Sequence, residues 1–240
     1  MRREQNSGRG RSSAMHVGKL MARLNVKNVR FDVGSGGIPE LTPQDVAAAL
    51  GYVEDGIGRE MLCQVWWPDG AKLTERHLLE ILAEAQRLEW QRREDAMLNA
   101  MLAVAAHGNK AQMLYAKAHG DRWPRMAWME QGIPVPAQGY TRVRRAVIDE
   151  MKGAGLCSGC NGRAYRSNDT GALCLCPLCL GSGHRPISER SRAEACGVSW
   201  MGYRKGWDRV YEWTMALCTE SMRRASQQFH DGLGTVRVPN

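Results

Sequence analysis

Five of the chain's eight cysteines lie in one short segment, from Cys157 to Cys179. Four of them form two C-x2-C pairs, Cys157 with Cys160 and Cys176 with Cys179, and fifteen residues separate the pairs. Each pair on a tight turn can aim two thiolates at one point, and tetrahedral zinc takes four sulfurs at about 2.3 Å. The spacing predicts a zinc ribbon in which these four cysteines bind one structural Zn²⁺, because four sulfurs leave no coordination position for water or substrate.

Two nearby side chains keep alternative ligand sets open. Cys174 is a fifth cysteine that could replace one of the four, and His184 could be a ligand in a variant site. A redox role for a C-x2-C pair is a further alternative, but it requires a βαβ context that the surrounding sequence lacks.

The segment after the cysteines has the pattern of a helix-turn-helix. Ala193 is followed four residues later by Gly197, and then by Val198 and Ser199. A small residue permits the two helices to cross, a glycine supplies the turn, and a serine caps the next helix. We therefore expect a DNA-reading helix that begins at Ser199. A plain helical hairpin that packs Tyr203 into the core is the alternative.

The predicted DNA contacts lie on and beside this helix. Arg204 can donate two hydrogen bonds to a guanine edge, whereas Lys205 and Arg209 suit phosphate oxygens. The full predicted set is Ser199, Trp200, Arg204, Lys205, Arg209, Arg190 and Arg192.

The rest of the chain predicts a mainly α fold. Thr42 and Pro43 begin a short helix, and a long helix follows Thr74. The apolar residues at helical spacing that form its predicted core face are Leu78, Ile81, Leu82, Ala85, Leu88, Met97, Leu98, Met101, Leu102 and Ala105. We expect a basic, flexible arm over residues 1–40, a helical body over 41–153, the zinc knuckle over 154–185, the helix-turn-helix-like segment with a C-terminal helix over 186–232 and a tail over 233–240.

Composition narrows the class of function. The net charge of +8 fits a polyanionic partner, nucleic acid first, although a basic surface can also serve solubility alone. The sequence contains no run of apolar residues long enough for a membrane span and no secretory signal, so we expect a cytoplasmic protein of a bacterial host cell without a membrane partner. No Walker loop, nucleophile elbow or H-E-x-x-H motif is present, so we do not expect an enzyme.

Two stretches carry a family resemblance. "LTPQDVAAALGYVEDGIGREMLC" and the "CSGCNG…CPLCLGSGH" knuckle, followed by a small helical segment and a C-terminal helix, resemble the late-gene antitermination proteins of lambdoid phages, the Q family. The order of these elements is more specific than the cysteine motif, because chaperone zinc repeats share C-x-x-C-x-G-x-G.

The resemblance implies a mechanism. Q proteins bind double-stranded DNA that overlaps the phage late promoter, load onto host RNA polymerase that is paused with sigma factor bound, and then suppress pausing and termination. It implies that the four cysteines bind zinc and that the helical body faces the polymerase, and we count a host elongation factor among the expected partners. A zinc-containing repressor or activator of initiation, and a chaperone-like peptide-binding module, remain alternative hypotheses.

Overall fold

The computed structural model describes residues 17–21, 24, 42–67, 74–106, 110–124, 135–154, 157–160, 165–167, 173–179 and 187–236. The fold is mainly helical, as predicted. In chain order the α-helices are α1 (Val17–Met21), α2 (Pro43–Gly51), α3 (Ile57–Trp66), α4 (Glu75–Ala105), α5 (Ala111–Gly120), α6 (Val135–Asp149), α7 (Glu189–Ala195), α8 (Trp200–Gly202) and α9 (Asp208–Val236). Two π-helical turns, Glu150–Ala154 and Tyr203–Trp207, follow α6 and α8.

The start of α2 is the one that the sequence predicts. The side chain of Thr42 accepts a hydrogen bond from the backbone N–H of Asp45 at 3.2 Å, and the carboxylate of Asp45 accepts one from the N–H of Thr42 at 2.8 Å. This reciprocal capping box satisfies two backbone donors that have no partner inside the helix. Pro43 stands in the first turn, where its missing N–H loses no hydrogen bond.

The long helix α9 joins two apolar clusters. Its first half buries Val210, Tyr211 and Cys218 against α4 and α6, whose contributions include Leu78 and Val147. Its second half packs Ala225, Phe229 and Leu233 against α1, α2 and α3. The turn of helix α1, with Leu20 and Met21 buried, falls inside the segment predicted as a flexible arm, and most of that segment lies outside the described residues.

The crossing of α3 and α9 depends on a glycine. A Cβ atom on Gly58 would collide with the backbone carbonyl oxygen of Ser221 and would lie 2.9 Å from the Cβ of Ala225. Backbone atoms of a packed helix cannot move aside cheaply, so the two helices would have to separate.

We expect Gly58→Ala to lower the free energy of unfolding by about 1–3 kcal/mol, the usual effect of overpacking a core. Urea denaturation followed by circular dichroism measures it. Gly51→Ala is the matched control, because no atom lies within 4 Å of a Cβ added at Gly51. Equal stability of the two variants would show that α3 and α9 are not held this closely.

The predicted core face of α4 is correct only in part, and Met97 in its second half is among the buried residues. Leu78 and Leu82 are fully buried, but Leu88, Leu98 and Leu102 are more than half exposed. The helix of 31 residues extends about 46 Å, which carries its far end beyond the core, where α5 packs against one side of it. We call the paired segments 96–106 and 110–120 the α4–α5 hairpin. Within the described residues, no helix combines the length and the apolar character that crossing a membrane requires.

Candidate metal centre and nucleic-acid interface

The four predicted ligands converge on one point. The sulfur atoms of Cys157 and Cys176 are 3.7 Å apart, as are those of Cys160 and Cys179, and all four lie within 4.8 Å of one another. Sulfurs placed tetrahedrally at about 2.3 Å from one ion are about 3.8 Å apart. The four cysteines are at most 6 % exposed and form a cluster of their own. This group can hold a metal ion.

Local structure explains how the two pairs meet. Each C-x2-C pair lies on a turn, and Cys160 donates its backbone N–H to the carbonyl oxygen of Cys157 at 3.3 Å. Between the pairs, β1 (Tyr165–Ser167) and β2 (Leu173–Leu175) form an antiparallel hairpin in which Tyr165 faces Leu175. The hairpin returns the chain, so that the second pair lies beside the first.

Gly159 permits the close approach of the two turns. A Cβ at this position would lie 2.6 Å from a methyl carbon of Leu178 and 3.4 Å from the sulfur of Cys176. Leu178 is exposed, so its side chain could move aside for a larger residue at position 159. The glycines that follow each pair in the sequence lie outside the described part of the chain.

Cys174 does not belong to the cluster. It is partly exposed on β2, and its thiol donates to the carbonyl oxygen of Arg166 at 3.3 Å. Cys176 lies just beyond the end of β2, so strand alternation does not place its thiol on the same side as that of Cys174. His184, the other alternative ligand, lies outside the described residues.

The three remaining cysteines are core residues. Burial raises the pKa of the Cys63 and Cys196 thiols to about 11 and that of Cys218 to about 12, so all three are neutral at physiological pH. Among the described residues, the four-cysteine cluster is the one group of three or more His, Cys, Asp or Glu side chains close enough to share an ion.

A partly buried ion pair connects the residues before the knuckle with those after it. Glu150 precedes the cysteines and Arg192 follows them, and the guanidinium of Arg192 donates two hydrogen bonds to the Glu150 carboxylate at 2.6 and 3.0 Å. The hydroxyl of Tyr211 donates to the same carboxylate at 2.6 Å, and Arg192 also lies over the Tyr211 ring. The hydrogen bonds to Glu150 raise the pKa of Arg192. The two chain ends that leave and re-enter the helical body are thereby joined.

The predicted helix-turn-helix has the expected caps and turn. Ser188 and Ser199 accept hydrogen bonds from the backbone N–H of Ser191 at 3.2 Å and of Gly202 at 3.1 Å. Gly197 has φ of +65°, in the left-handed region that favours glycine. Ala193 and Tyr203 are buried, which both the helix-turn-helix and the plain hairpin require.

The second helix differs from the prediction. It consists of α8 and the π-helical turn Tyr203–Trp207, and it is interrupted at Gly206, whose φ is +147°. In a helix-turn-helix, an apolar residue near this point would hold a continuous second helix on the core. Glycine instead permits a sharp change of direction into α9. A continuous recognition helix is therefore absent from this segment, and the helix-turn-helix assignment is not confirmed.

The predicted DNA contacts fall into two groups. Arg190, Trp200, Arg204, Lys205 and Arg209 are exposed, together with the capping Ser199. Arg204 lies over the Trp200 ring at 5.3 Å and only 3.9 Å from Glu189, an exposed and weak ion pair. Arg192 differs from these residues, because its guanidinium is committed to Glu150 and its side chain is 22 % exposed.

A basic cleft of about 560 Å³ lies beside Lys205 and Arg209. Its other lining residues come from the end of α5, the following turn and the segment before α9: His119, Gly120, Arg122, Trp123, Pro124, Gly202 and Trp207. No acidic side chain among the described residues lines the cleft, although Glu94 neutralises Arg122 through two hydrogen bonds of 2.6 and 2.7 Å. This juxtaposition could not be predicted from the sequence, because residues 119–124 and 202–209 are far apart in the chain.

Comparison of the chain with protein-family models, with curated proteins and with solved structures finds no match.

Proposed function

We propose that the four-cysteine cluster binds one Zn²⁺ and that its role is structural. Four thiolates suit zinc, and the separation of 3.7 Å in two of the sulfur pairs is close to that expected around a tetrahedral ion. When bound, the ion supplies folding free energy to the knuckle, whose described buried cluster consists of the four cysteines themselves. The chain's own contribution is to hold four buried sulfurs on two turns and to join the knuckle to the body through Glu150 and Arg192.

We propose that the protein is a DNA-binding phage transcription antitermination factor. The observation that carries this proposal is the order of a closed four-cysteine site and then, directly after it, an exposed basic segment with Arg204, Lys205 and Arg209. This order is the most specific part of the resemblance to the Q family. The basic cleft beside Lys205 and Arg209 supports it, because phosphate oxygens favour such a surface.

On this proposal the protein binds DNA at the late promoter and loads onto host RNA polymerase that is paused with sigma factor bound. It then suppresses pausing and termination, and a host elongation factor is a further partner. The helices of residues 42–106 supply protein-binding surface, while the knuckle orients the basic segment. Terminator read-through by host polymerase in a single-round reaction tests this function.

The DNA contacts are tested separately. We expect Arg204→Ala to lose about 1–3 kcal/mol of preference for the specific site, and Lys205→Ala to weaken binding to all duplexes alike. Fluorescence anisotropy with a promoter-region duplex and a scrambled duplex, over a range of salt concentrations, measures both effects. Arg76→Ala is the control, because Arg76 is 91 % exposed on α4 and pairs only weakly with Glu80. Unchanged binding by both variants would exclude residues 199–209 as the DNA-contacting segment.

The alternative function is a zinc-containing repressor or activator that acts at initiation. The same exposed arginine and lysine side chains would serve it. It predicts DNA binding without any effect on termination, so the two functions differ in one measurable property, the read-through of a distant terminator.

A further inference from the structure

The basic cleft beside Lys205 and Arg209 lies between two parts of the chain. One wall comes from residues 119–124, at the end of α5 and in the turn after it, and the other from residues 202–209. The guanidinium of Arg209 spans them, because it donates a hydrogen bond of 3.4 Å to the backbone carbonyl oxygen of Arg122. The volume of about 560 Å³ lies within the range of about 300–1,000 Å³ that is usual for small-ligand sites. The cleft therefore has the capacity for one nucleotide-sized ligand.

One wall of the cleft carries an aromatic ring that the fold holds in place. Trp207 lines the cleft and is partly buried. Its ring meets that of Tyr140 edge to face, with 5.1 Å between the centroids, and a Cβ added to Gly139 would lie 2.6 Å from Cζ2 of the indole. A side chain fixed in this way loses little conformational freedom when a flat ligand packs against it. Such rings are the platforms on which the bases of single strands stack.

The charges at the cleft suit a phosphate group. His119, Lys205 and Arg209 line it with exposed side chains, and within the described residues neither Lys205 nor Arg209 forms an ion pair. Two acidic residues, Asp121 and Asp208, are next to lining residues in the sequence but do not line the cleft themselves. The carboxylate of Asp208 accepts a hydrogen bond of 2.8 Å from the backbone N–H of Arg209. The cleft thus presents cationic groups beside an aromatic wall.

We propose that this cleft binds one unpaired nucleotide of a single-stranded nucleic acid, with its base against Trp207 and its phosphate at Lys205 and Arg209. The bases of a duplex are stacked on one another and expose only their edges in the grooves, so a duplex can use the cations but not the indole. Single-strand sites combine both elements. The inference rests on the proposed function in taking nucleic acid as the ligand, and it adds a strand preference that the duplex contact of Arg204 does not supply.

The full-length chain and three fluorescent oligomers test the proposal by anisotropy. The oligomers are about twelve units long and consist of thymidine deoxynucleotides, of uridine ribonucleotides, or of an abasic deoxyribose-phosphate chain that keeps the charge and lacks the bases. One variant combines Lys205→Ala with Arg209→Ala, and a second is Trp207→Leu. The matched control for the charges combines Arg76→Ala with Lys110→Ala. Arg76 on α4 and Lys110 in the α4–α5 hairpin are exposed and lie outside the cleft.

We expect the wild-type chain and the control to bind a base-bearing oligomer saturably and the abasic chain at least tenfold more weakly, because stacking is lost. The double variant should bind all three oligomers at least tenfold more weakly, with unchanged thermal unfolding. Trp207→Leu should weaken the base-bearing oligomers about tenfold and leave the abasic chain unchanged. The comparison of oligomers on the wild-type chain tests the role of the base even where Trp207→Leu does not fold. Tighter binding of the uridine oligomer assigns the cleft to RNA, and tighter binding of the thymidine oligomer assigns it to DNA.

No saturable binding of either base-bearing oligomer, equally tight binding of the abasic chain, or unchanged binding by the double variant would each overturn the proposal. Site-specific duplex binding and its dependence on Arg204 are measured separately, so the two failures are distinguishable. A chain that binds the promoter-region duplex but no single strand would contradict this proposal and leave the proposed function intact. A chain that binds single strands through the cleft, but no duplex specifically, would support the cleft and contradict the duplex contacts.

Discussion

Replacement of Cys176 by alanine is expected to release the bound metal and unfold the knuckle, whereas replacement of Cys174 by alanine should leave both intact. Structural zinc sites supply about 10–16 kcal/mol of apparent binding free energy, and loss of one of four thiolates removes a large part of it. The two residues lie on the same hairpin, two positions apart, but only the sulfur of Cys176 lies within the cluster.

Metal content per chain after gel filtration, measured by inductively coupled plasma mass spectrometry, checks this expectation. Limited proteolysis reports whether residues 154–185 have become accessible. The wild-type and Cys174→Ala chains should carry one zinc ion, and the Cys176→Ala chain should carry none. Retention of zinc by Cys176→Ala, or its loss from Cys174→Ala, would show that the ligand set is different from the one assigned.

The second large effect concerns the ion pair at the base of the knuckle. We expect Glu150→Ala to lower the free energy of unfolding by about 1–3 kcal/mol, because it leaves the partly buried Arg192 guanidinium and the Tyr211 hydroxyl without their shared acceptor. Glu150 is 9 % exposed, so water replaces the lost carboxylate poorly.

Denaturation in guanidinium chloride measures this change, with Asp149→Ala as the matched control. Asp149 is the preceding carboxylate and is exposed, so its removal should alter stability by less than about 0.5 kcal/mol. A double-mutant cycle with Arg192→Ala separates the pairwise interaction from the effect of each residue alone. Equal midpoints for Glu150→Ala and Asp149→Ala would mean that the pair does not hold the chain ends together.

Features set by local chemistry could be predicted from the sequence. The capping box of Thr42 and Asp45, the caps at Ser188 and Ser199 and the turn at Gly197 each depend on a few adjacent residues. The four cysteines are a stronger case, because a metal site of fixed geometry imposes its own spacing on the chain.

Features that depend on distant contacts could not be predicted. Periodicity identified the apolar positions of α4, but it could not tell that Leu88, Leu98 and Leu102 would be exposed, because that depends on which neighbouring helices reach each part of the helix. Arg192 was predicted to contact DNA because it belongs to a basic run, whereas its position is set by Glu150, which lies 42 residues earlier. The helix α3 was missed, because its sequence begins with glycines and its buried side depends on the contact with α9.

The most direct test of the proposed function is single-round transcription in vitro. The template carries the phage's own late promoter and a downstream terminator, and the reaction contains host RNA polymerase with sigma factor, with and without this protein. We predict terminator read-through that disappears when the promoter-region DNA is replaced and that Arg204→Ala reduces. Altered initiation with unchanged read-through would contradict antitermination and favour the repressor or activator, and no effect on either would contradict both.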